Sequence, residues 1–130
     1  MEARELRIGN YVKREEKVLC IKAGDIRAMD DWQQLENEKE ITKPIPLTEE
    51  WLLKFGFVND IIEYDLTIGN MHEEGTMIFS IKKDFSLIQI SVGMGGDKPD
   101  WIFLMCPTYV HQLQNLYFAL TANELTIKEQ

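Results

Sequence analysis

Residues 44–57 read PIPLTEEWLLKFGF and divide the chain into two parts. The stretch predicts one short helix, because Thr48 can accept a hydrogen bond from a backbone N–H at its start. Glu49 and Glu50 add negative charge at the positive end of the helix dipole. Gly56 can adopt the left-handed conformation that ends a helix. Since the prolines disfavour helix upstream, we expect a short helix that links two β units.

The segment before this helix, residues 1–43, has the composition of a small β unit. Short strand-like runs cover residues 6–13, 18–22 and 26–29, and polar or glycine-containing turns separate them. Their spacing resembles that of the SH3-like class of small barrels. Residues 30–40 are polar and acidic, and the sequence leaves open whether they form a loop, a helical turn or the tip of a hairpin.

The part after the helix, residues 58–130, has the pattern of an antiparallel sheet. Apolar and polar residues alternate over residues 62–68, and two further strand-like runs follow at residues 76–83 and 85–92. A nearly uninterrupted apolar run then covers residues 101–106. We therefore expect a four-stranded antiparallel sheet.

A sheet with one apolar face needs a cover, and the last strong element of the chain supplies one. Pro107 and Thr108 form a helix start, and Asn123 can serve as the left-handed stop. Between them, apolar residues recur at helical spacing, namely Val110, Leu113, Leu116, Tyr117 and Leu120. The sequence therefore predicts a single α+β domain, with an N-terminal β unit (1–43), a linking helix (44–57) and a sheet covered by a C-terminal helix (58–130).

The chain is acidic, with 14 Lys and Arg against 22 Asp and Glu and a formal net charge of −8. Residues 1–43 contain 9 basic and 10 acidic residues, whereas residues 44–130 contain 5 and 12. The acidic surface therefore belongs to the second part. Such a field repels phosphate backbones, so we expect no direct binding of nucleic acid. Solubility alone, a basic partner and nucleic-acid mimicry remain alternative roles for the charge.

The sequence also predicts where the protein is found. No apolar run approaches the roughly 20 residues of a membrane helix, and residues 1–5 lack the apolar core of a signal peptide. Cys20 and Cys106 lie in apolar, strand-like surroundings, where we expect reduced structural thiols. We therefore expect a cytoplasmic protein with no membrane partner.

Few residues suggest chemistry. Cys106 and His111 are five apart and could supply a nucleophile and a base, but no orienting carboxylate lies near them in the sequence. Residues 72–74 (His-Glu-Glu) could offer metal ligands, and the glycine-rich loop at residues 93–98 superficially resembles a phosphate-binding turn. A solvated turn and a hairpin loop explain both, so we predict no catalytic residue, no cofactor and no metal.

Two aromatic residues stand apart from the predicted core. Trp32 lies alone in an acidic segment, and Phe118 lies off the main apolar stripe of the last helix. Each can pack within the chain or contribute to an exposed patch that binds a partner protein. The sequence is also compatible with a homo-oligomer.

Three stretches carry a resemblance to a known group of proteins. They are residues 5–12 (ELRIGNYV), 46–57 (PLTEEWLLKFGF) and 109–125 (YVHQLQNLYFALTANEL). Together they resemble short proteins of unknown function from Bacteroides-type bacteria, often encoded in prophages or other mobile elements. That group usually has glycine at the position of Ala122. The resemblance implies a bacterial cytoplasm and a compact α+β fold, and it implies no catalytic residue.

The lack of a coherent catalytic set favours a non-enzymatic protein–protein interaction module, such as an accessory protein of a mobile element. Two alternatives stay open. One is a nucleic-acid-related role, either as an acidic mimic or through weak binding by the N-terminal β unit. The other is an enzyme with a site near Cys106 and His111.

Overall fold

The computed structural model describes residues 6–14, 16–22, 42–68, 76–92 and 100–128. These residues form both a helical and a sheet component, which confirms the predicted α+β class. In chain order the elements are β1 (Tyr11–Arg14), β2 (Lys17–Cys20), β3 (Thr42–Lys43), α1 (Glu49–Lys54), β4 (Val58–Asn59), β5 (Glu63–Ile68), β6 (Met77–Lys82), β7 (Leu87–Val92), β8 (Asp100–Met105) and α2 (Val110–Thr121).

The chain divides into two compact units. Unit 1 takes the described residues up to Thr48 together with Thr108–Thr126, and unit 2 takes Glu49–Pro107 together with the residues from Ile127 onward. Of the three boundaries, those after residues 48 and 107 fall at the start of α1 and just before α2, and the third follows residue 126.

Unit 1 contains a three-stranded sheet in the order β2-β1-β3, with antiparallel neighbours. Its buried apolar cluster consists of Leu6, Val12 and Ile21, and Leu19 packs against it. The Gly9 N–H donates to the Ile21 carbonyl at 2.9 Å, which ties the segment before β1 to the end of β2. This small sheet agrees with the predicted N-terminal β unit, although its described strands are too few to define an SH3-like barrel.

Helix α2 groups with the small sheet in unit 1, whereas the sequence prediction assigns it to the same part of the chain as the larger sheet. The buried Gln114 side chain explains the grouping, because it accepts from the Tyr11 N–H at 2.8 Å and donates to the Gly9 carbonyl at 3.0 Å. The Val110 N–H donates to the Ile45 carbonyl at 2.8 Å. Periodicity shows that a helix has an apolar stripe, but it does not show which sheet that stripe packs against.

Unit 2 contains a five-stranded antiparallel sheet in the order β4-β5-β6-β7-β8. The sequence predicts four strands, and the additional one is β4, where Val58 pairs with Asp65 and Asn59 with Tyr64. The core of the sheet consists of buried side chains on its three central strands, namely Tyr64, Phe79, Ile81, Ile88 and Ile90.

Helix α1 forms within the predicted segment and ends at Lys54, and Gly56, shortly after it, adopts the predicted left-handed conformation, with φ +98°. The Gly56 N–H donates to the Leu53 carbonyl at 3.1 Å, and the Phe57 N–H donates to the Leu52 carbonyl at 3.0 Å. This pair of hydrogen bonds is the Schellman arrangement, which satisfies the last carbonyls of the helix. An apolar contact between the two residues at the ends of this motif, here Leu52 and Phe57, commonly accompanies it. Both side chains are buried.

The end of α2 differs from the sequence prediction. The left-handed residue is Ala122, with φ 60° and ψ 14°, and not Asn123. The Ala122 N–H donates to the Phe118 carbonyl at 2.8 Å. An L-residue such as alanine is destabilised by roughly 1–2 kcal/mol in this region, because its Cβ approaches the following carbonyl oxygen.

We expect Ala122→Gly to raise the free energy of unfolding by about 1 kcal/mol, because glycine has no Cβ to strain in the left-handed region. Gly56→Ala is the matched opposite change and should lower the stability by about 1–2 kcal/mol. Its new Cβ would also lie 3.1 Å from Lys128 Cγ. Urea denaturation followed by circular dichroism measures both, and an Ala122→Gly variant no more stable than the parent would contradict the strain.

Candidate functional site

The edge strand β8 is the most unusual surface of unit 2. It pairs with β7 in a continuous antiparallel register in which Gln89 faces Phe103 and Ile90 faces Ile102. In the described part of the chain, no strand pairs with the outer side of β8. Its outward backbone N–H and C=O groups therefore form a template on which a further strand can add.

The side chains of β8 are apolar at five consecutive positions. Each exposes between 40% and 87% of its surface, and the five are Trp101, Ile102, Phe103, Leu104 and Met105. Scattered exposed apolar residues are ordinary, but a contiguous apolar patch on a soluble surface indicates a site of interaction. Since neighbouring residues of a strand point to opposite faces, β8 presents apolar side chains on both faces of the sheet.

The opposite edge of the same sheet is very different. Strand β4 has only two residues, Val58 and Asn59. The Asn59 side chain donates to Glu49 Oε1 at 3.1 Å and accepts a hydrogen bond from the Lys83 ammonium group. Short edge strands and nearby lysines are devices by which proteins prevent unwanted strand pairing. Strand β4 has both, whereas residues 101–105 of β8 have no charged residue and no proline.

The apolar face of the sheet core continues onto β8 without a polar break. The register places Leu104 beside Ile88, and Ile102 beside Ile90. Ile88 and Ile90 are fully buried, whereas Ile102 and Leu104 remain about two-fifths exposed. The core face therefore reaches solvent at β8, where a further strand would extend it.

The two aromatic residues selected from the sequence lie elsewhere. Trp32 lies outside the described residues. Phe118 lies on α2 in unit 1, where the Arg7 guanidinium stacks 4.2 Å from the centre of its partly exposed ring. Arg7 in turn donates to Asn115 Oδ1 at 2.8 Å and to Glu124 Oε1 at 2.7 Å. Phe118 thus takes part in an intramolecular cation–π contact while part of its ring remains accessible.

Cys106 and His111 fall in different units. Burial raises the pKa of the Cys106 thiol to about 11, so the thiol is protonated at neutral pH. Its Sγ lies 3.6 Å from the Pro107 carbonyl oxygen, which it can reach as a weak donor. His111 is buried in α2, and its ring stacks 6.0 Å from that of Tyr109. The raised pKa is the opposite of what a nucleophilic cysteine requires.

We expect iodoacetamide to alkylate the exposed Cys20 first and the half-buried Cys106 at least about tenfold more slowly at pH 7.5, because the thiolate is the reactive form. The Cys106 rate should rise about tenfold per pH unit toward pH 11, provided that the fold persists. Mass spectrometry of proteolytic fragments reports both rates. Rapid and selective labelling of Cys106 at neutral pH would contradict this result and favour the catalytic alternative.

The carboxylates of β5 are half-buried, although the alternating pattern of this strand is typical of a strand with one solvated face. Burial raises the pKa of Glu63, and the neighbouring charge of Asp65 raises it further, while Lys82 across the strand pair opposes the shift.

Within the ranges that the structure describes, no three His, Cys, Asp or Glu residues group so that they could hold a metal ion. Residues 72–74 and 93–98, the other two candidate sites, lie outside the described residues.

Sequence reasoning identified β8 as a strand but not as a site. An unbroken apolar run is typical of a strand buried on both faces, so the run itself does not indicate an exposed edge. The overlooked signal is its position in the chain. As the last strand of a series of hairpins, β8 falls at the edge of the sheet unless a later strand pairs with it.

The fold and this surface define a class of protein, namely an α+β chain of two units with an apolar edge strand. No protein-family model, no curated protein and no solved structure matches the chain. The relationship to short proteins of Bacteroides-type bacteria therefore stays a prediction from the sequence. No helix among the described residues is long and apolar enough to cross a membrane.

Proposed function

We propose that this protein is a non-enzymatic interaction module that binds another polypeptide by strand addition at β8. The observation that carries the proposal is the run of five exposed apolar residues, 101–105, on a sheet edge that no described strand pairs with. In strand addition, main-chain hydrogen bonds supply affinity, and alternate side chains on the two faces supply specificity. Strand β8 offers both kinds of contact over its six residues.

The charge distribution supports the same proposal. The chain has a net charge of −8, but residues 101–107 contain no charged side chain. The acidic remainder keeps the protein soluble by mutual repulsion, while an uncharged strand can lose its water at low electrostatic cost. The bound segment should therefore be extended and apolar, and it should lack acidic side chains where it faces β8.

The rest of the proposal rests on the sequence. The raised pKa of the Cys106 thiol disfavours this residue as the nucleophile of the enzymatic alternative. A bacterial cytoplasm and a role as a mobile-element accessory protein follow from the resemblance of the three sequence stretches, and they remain part of the proposal. The net charge of −8 disfavours the alternative of direct nucleic-acid binding.

A defined peptide tests the site. A fluorophore attached to the exposed Cys20 allows a titration in which the protein is held at about 50 nM, so that self-association is negligible by mass action. The titrant is a synthetic peptide with the sequence of residues 100–105 between solubilising lysines. We expect saturable binding with Kd on the order of 10 µM, because a single added strand forms a small interface.

The matched variants are Phe103→Lys on β8 and Val58→Lys on the opposite edge β4. Both residues are apolar and more than half exposed, so neither substitution introduces a charge into the core. Phe103→Lys should weaken peptide binding at least about tenfold through the cost of burying an unpaired charge, and Val58→Lys should leave it unchanged. A wild-type protein that shows no saturable binding, or an equal loss in both variants, would refute the proposal.

A further inference from the structure

The partner that fits β8 best is a second copy of the same chain. Building on the proposed function, we propose that two copies join by antiparallel pairing of their β8 strands, with Phe103 on the two-fold axis. The two five-stranded sheets then form one continuous sheet of ten strands. The proposal depends on the self-complementarity of the strand, on its charge and on what the pairing leaves exposed.

The strand is complementary to itself in this register. Phe103 faces Phe103 of the second copy, Trp101 faces Met105, and Ile102 faces Leu104 of the second copy. Every cross-strand pair is therefore apolar, and aromatic and aliphatic pairs of this kind stabilise antiparallel strands. The hydrogen bonding is also compatible, because the outward N–H and C=O groups recur at every second residue and a two-fold axis midway between the two Phe103 residues preserves that alternation.

Electrostatic repulsion between two acidic chains does not act at this contact. The one charged residue of β8 is Asp100, at its beginning. Antiparallel pairing about Phe103 places the two Asp100 residues at opposite ends, six residue spacings or about 20 Å apart. That separation of the two Asp100 positions along the strands exceeds the Debye length of about 8 Å at physiological ionic strength, so repulsion between these positions is screened.

The exposed area is sufficient for a weak dimer. The five apolar residues of β8 together expose on the order of 500 Å² on each copy, so the contact buries at most on the order of 1,000 Å² in total, because in-plane pairing leaves part of both sheet faces in contact with water. Specific but transient interfaces have this size, and we therefore expect a dimer with Kd on the order of micromolar.

The pairing also closes the assembly. In the ten-stranded sheet the two outer edges are both β4, which has two residues and hydrogen-bonded polar neighbours. A two-fold contact uses the same surface on both copies, so no second β8 edge is left for a third copy. Edge pairing therefore ends at two chains and does not continue into a fibre.

Light scattering after size exclusion tests the stoichiometry. At about 100 µM the wild-type protein should have twice the monomer mass of 15.2 kDa, and at about 0.1 µM it should be monomeric, as mass action requires. Phe103→Lys should remain monomeric at the higher concentration, with Kd raised at least a hundredfold by two buried like charges. Val58→Lys should dimerise like the wild type, and circular dichroism confirms that both variants fold.

A disulfide tests the register. In a Cys20→Ser, Cys106→Ser background, Phe103→Cys places one thiol on the two-fold axis, where paired Cα atoms lie about 4.5–5.5 Å apart and can be bridged. Met105→Cys is the matched control, because it faces Trp101 of the second copy. We expect the dimeric disulfide to form at least about tenfold faster in Phe103→Cys under mild oxidation.

Each result separates the two proposals. A wild-type monomer at 100 µM that still binds the β8 peptide would overturn the dimer while leaving strand addition intact. A monomer that binds no peptide would overturn both. A dimer that persists in Phe103→Lys, or one that cross-links equally through Met105→Cys, would overturn the β8 contact or its register.

Discussion

Phe79→Ala is expected to lower the free energy of unfolding of unit 2 by about 3–5 kcal/mol. Phe79 lies on β6, the central strand of the five-stranded sheet, and its side chain is 0% exposed. Truncation removes the transfer free energy of a buried aromatic ring and leaves a cavity that the surrounding strands fill only in part. Urea denaturation followed by far-ultraviolet circular dichroism measures the loss.

The control is the same change on the same sheet, Phe103→Ala. The Phe103 side chain is 58% exposed on β8, so its removal should cost less than about 1 kcal/mol when measured on the dilute monomer. The difference between the two variants measures how far the core extends across the sheet. A Phe103→Ala variant as unstable as Phe79→Ala would show that β8 is part of the core and would contradict its role as a free edge.

Gln114→Ala is the second large effect, with an expected loss of about 3 kcal/mol. The buried Gln114 amide accepts from the Tyr11 N–H and donates to the carbonyls of Gly9 and Leu125. Alanine would leave these three backbone groups without the side-chain partner, at a cost of at least about 1 kcal/mol each where they stay shielded from water. Because one side chain holds both the start of β1 and the segment after α2, its loss should loosen unit 1.

Gln112→Ala is the matched control on the same helix. The Gln112 side chain is exposed and accepts from the N–H groups of Thr108 and Tyr109 at 3.1 Å and 3.2 Å. Its replacement removes an N-terminal cap, which typically costs about 1 kcal/mol. Thermal unfolding of both variants gives the comparison, and similar losses would mean that the buried hydrogen bonds of Gln114 contribute no more than an exposed cap.

Local sequence patterns predicted a helix or strand correctly where its formation depends on residues close together in the chain. The cap residues and Gly56 predicted α1, and the alternation in residues 62–68 predicted β5, because these signals depend on neighbours in the chain. The left-handed residue at the end of α2 is Ala122 in place of the predicted Asn123. Asparagine adopts the left-handed conformation at a lower cost than alanine, so the sequence favours Asn123. Hydrogen bonding at the end of the folded helix can nevertheless impose that conformation on the preceding residue, Ala122.

Long-range relations were harder to predict. The apolar stripe of α2 is present, with Val110, Leu113 and Tyr117 buried, but the helix groups with the small sheet. The deciding residue, Gln114, is polar and contributes nothing to an apolar periodicity. The position of β8 at the edge was missed for a related reason, since a run such as residues 101–106 has the same pattern whether the strand is central or at an edge.

Amide hydrogen–deuterium exchange of β8 in the presence of its own peptide tests strand addition at this edge directly. With the protein at about 0.1 µM and the peptide at about ten times its Kd, bound amides should exchange about tenfold more slowly. We predict that this slowing appears in residues 100–106 and that the fragment containing β4 is unchanged. Unaltered exchange in residues 100–106, or slowing confined to another segment, would contradict a binding edge at β8.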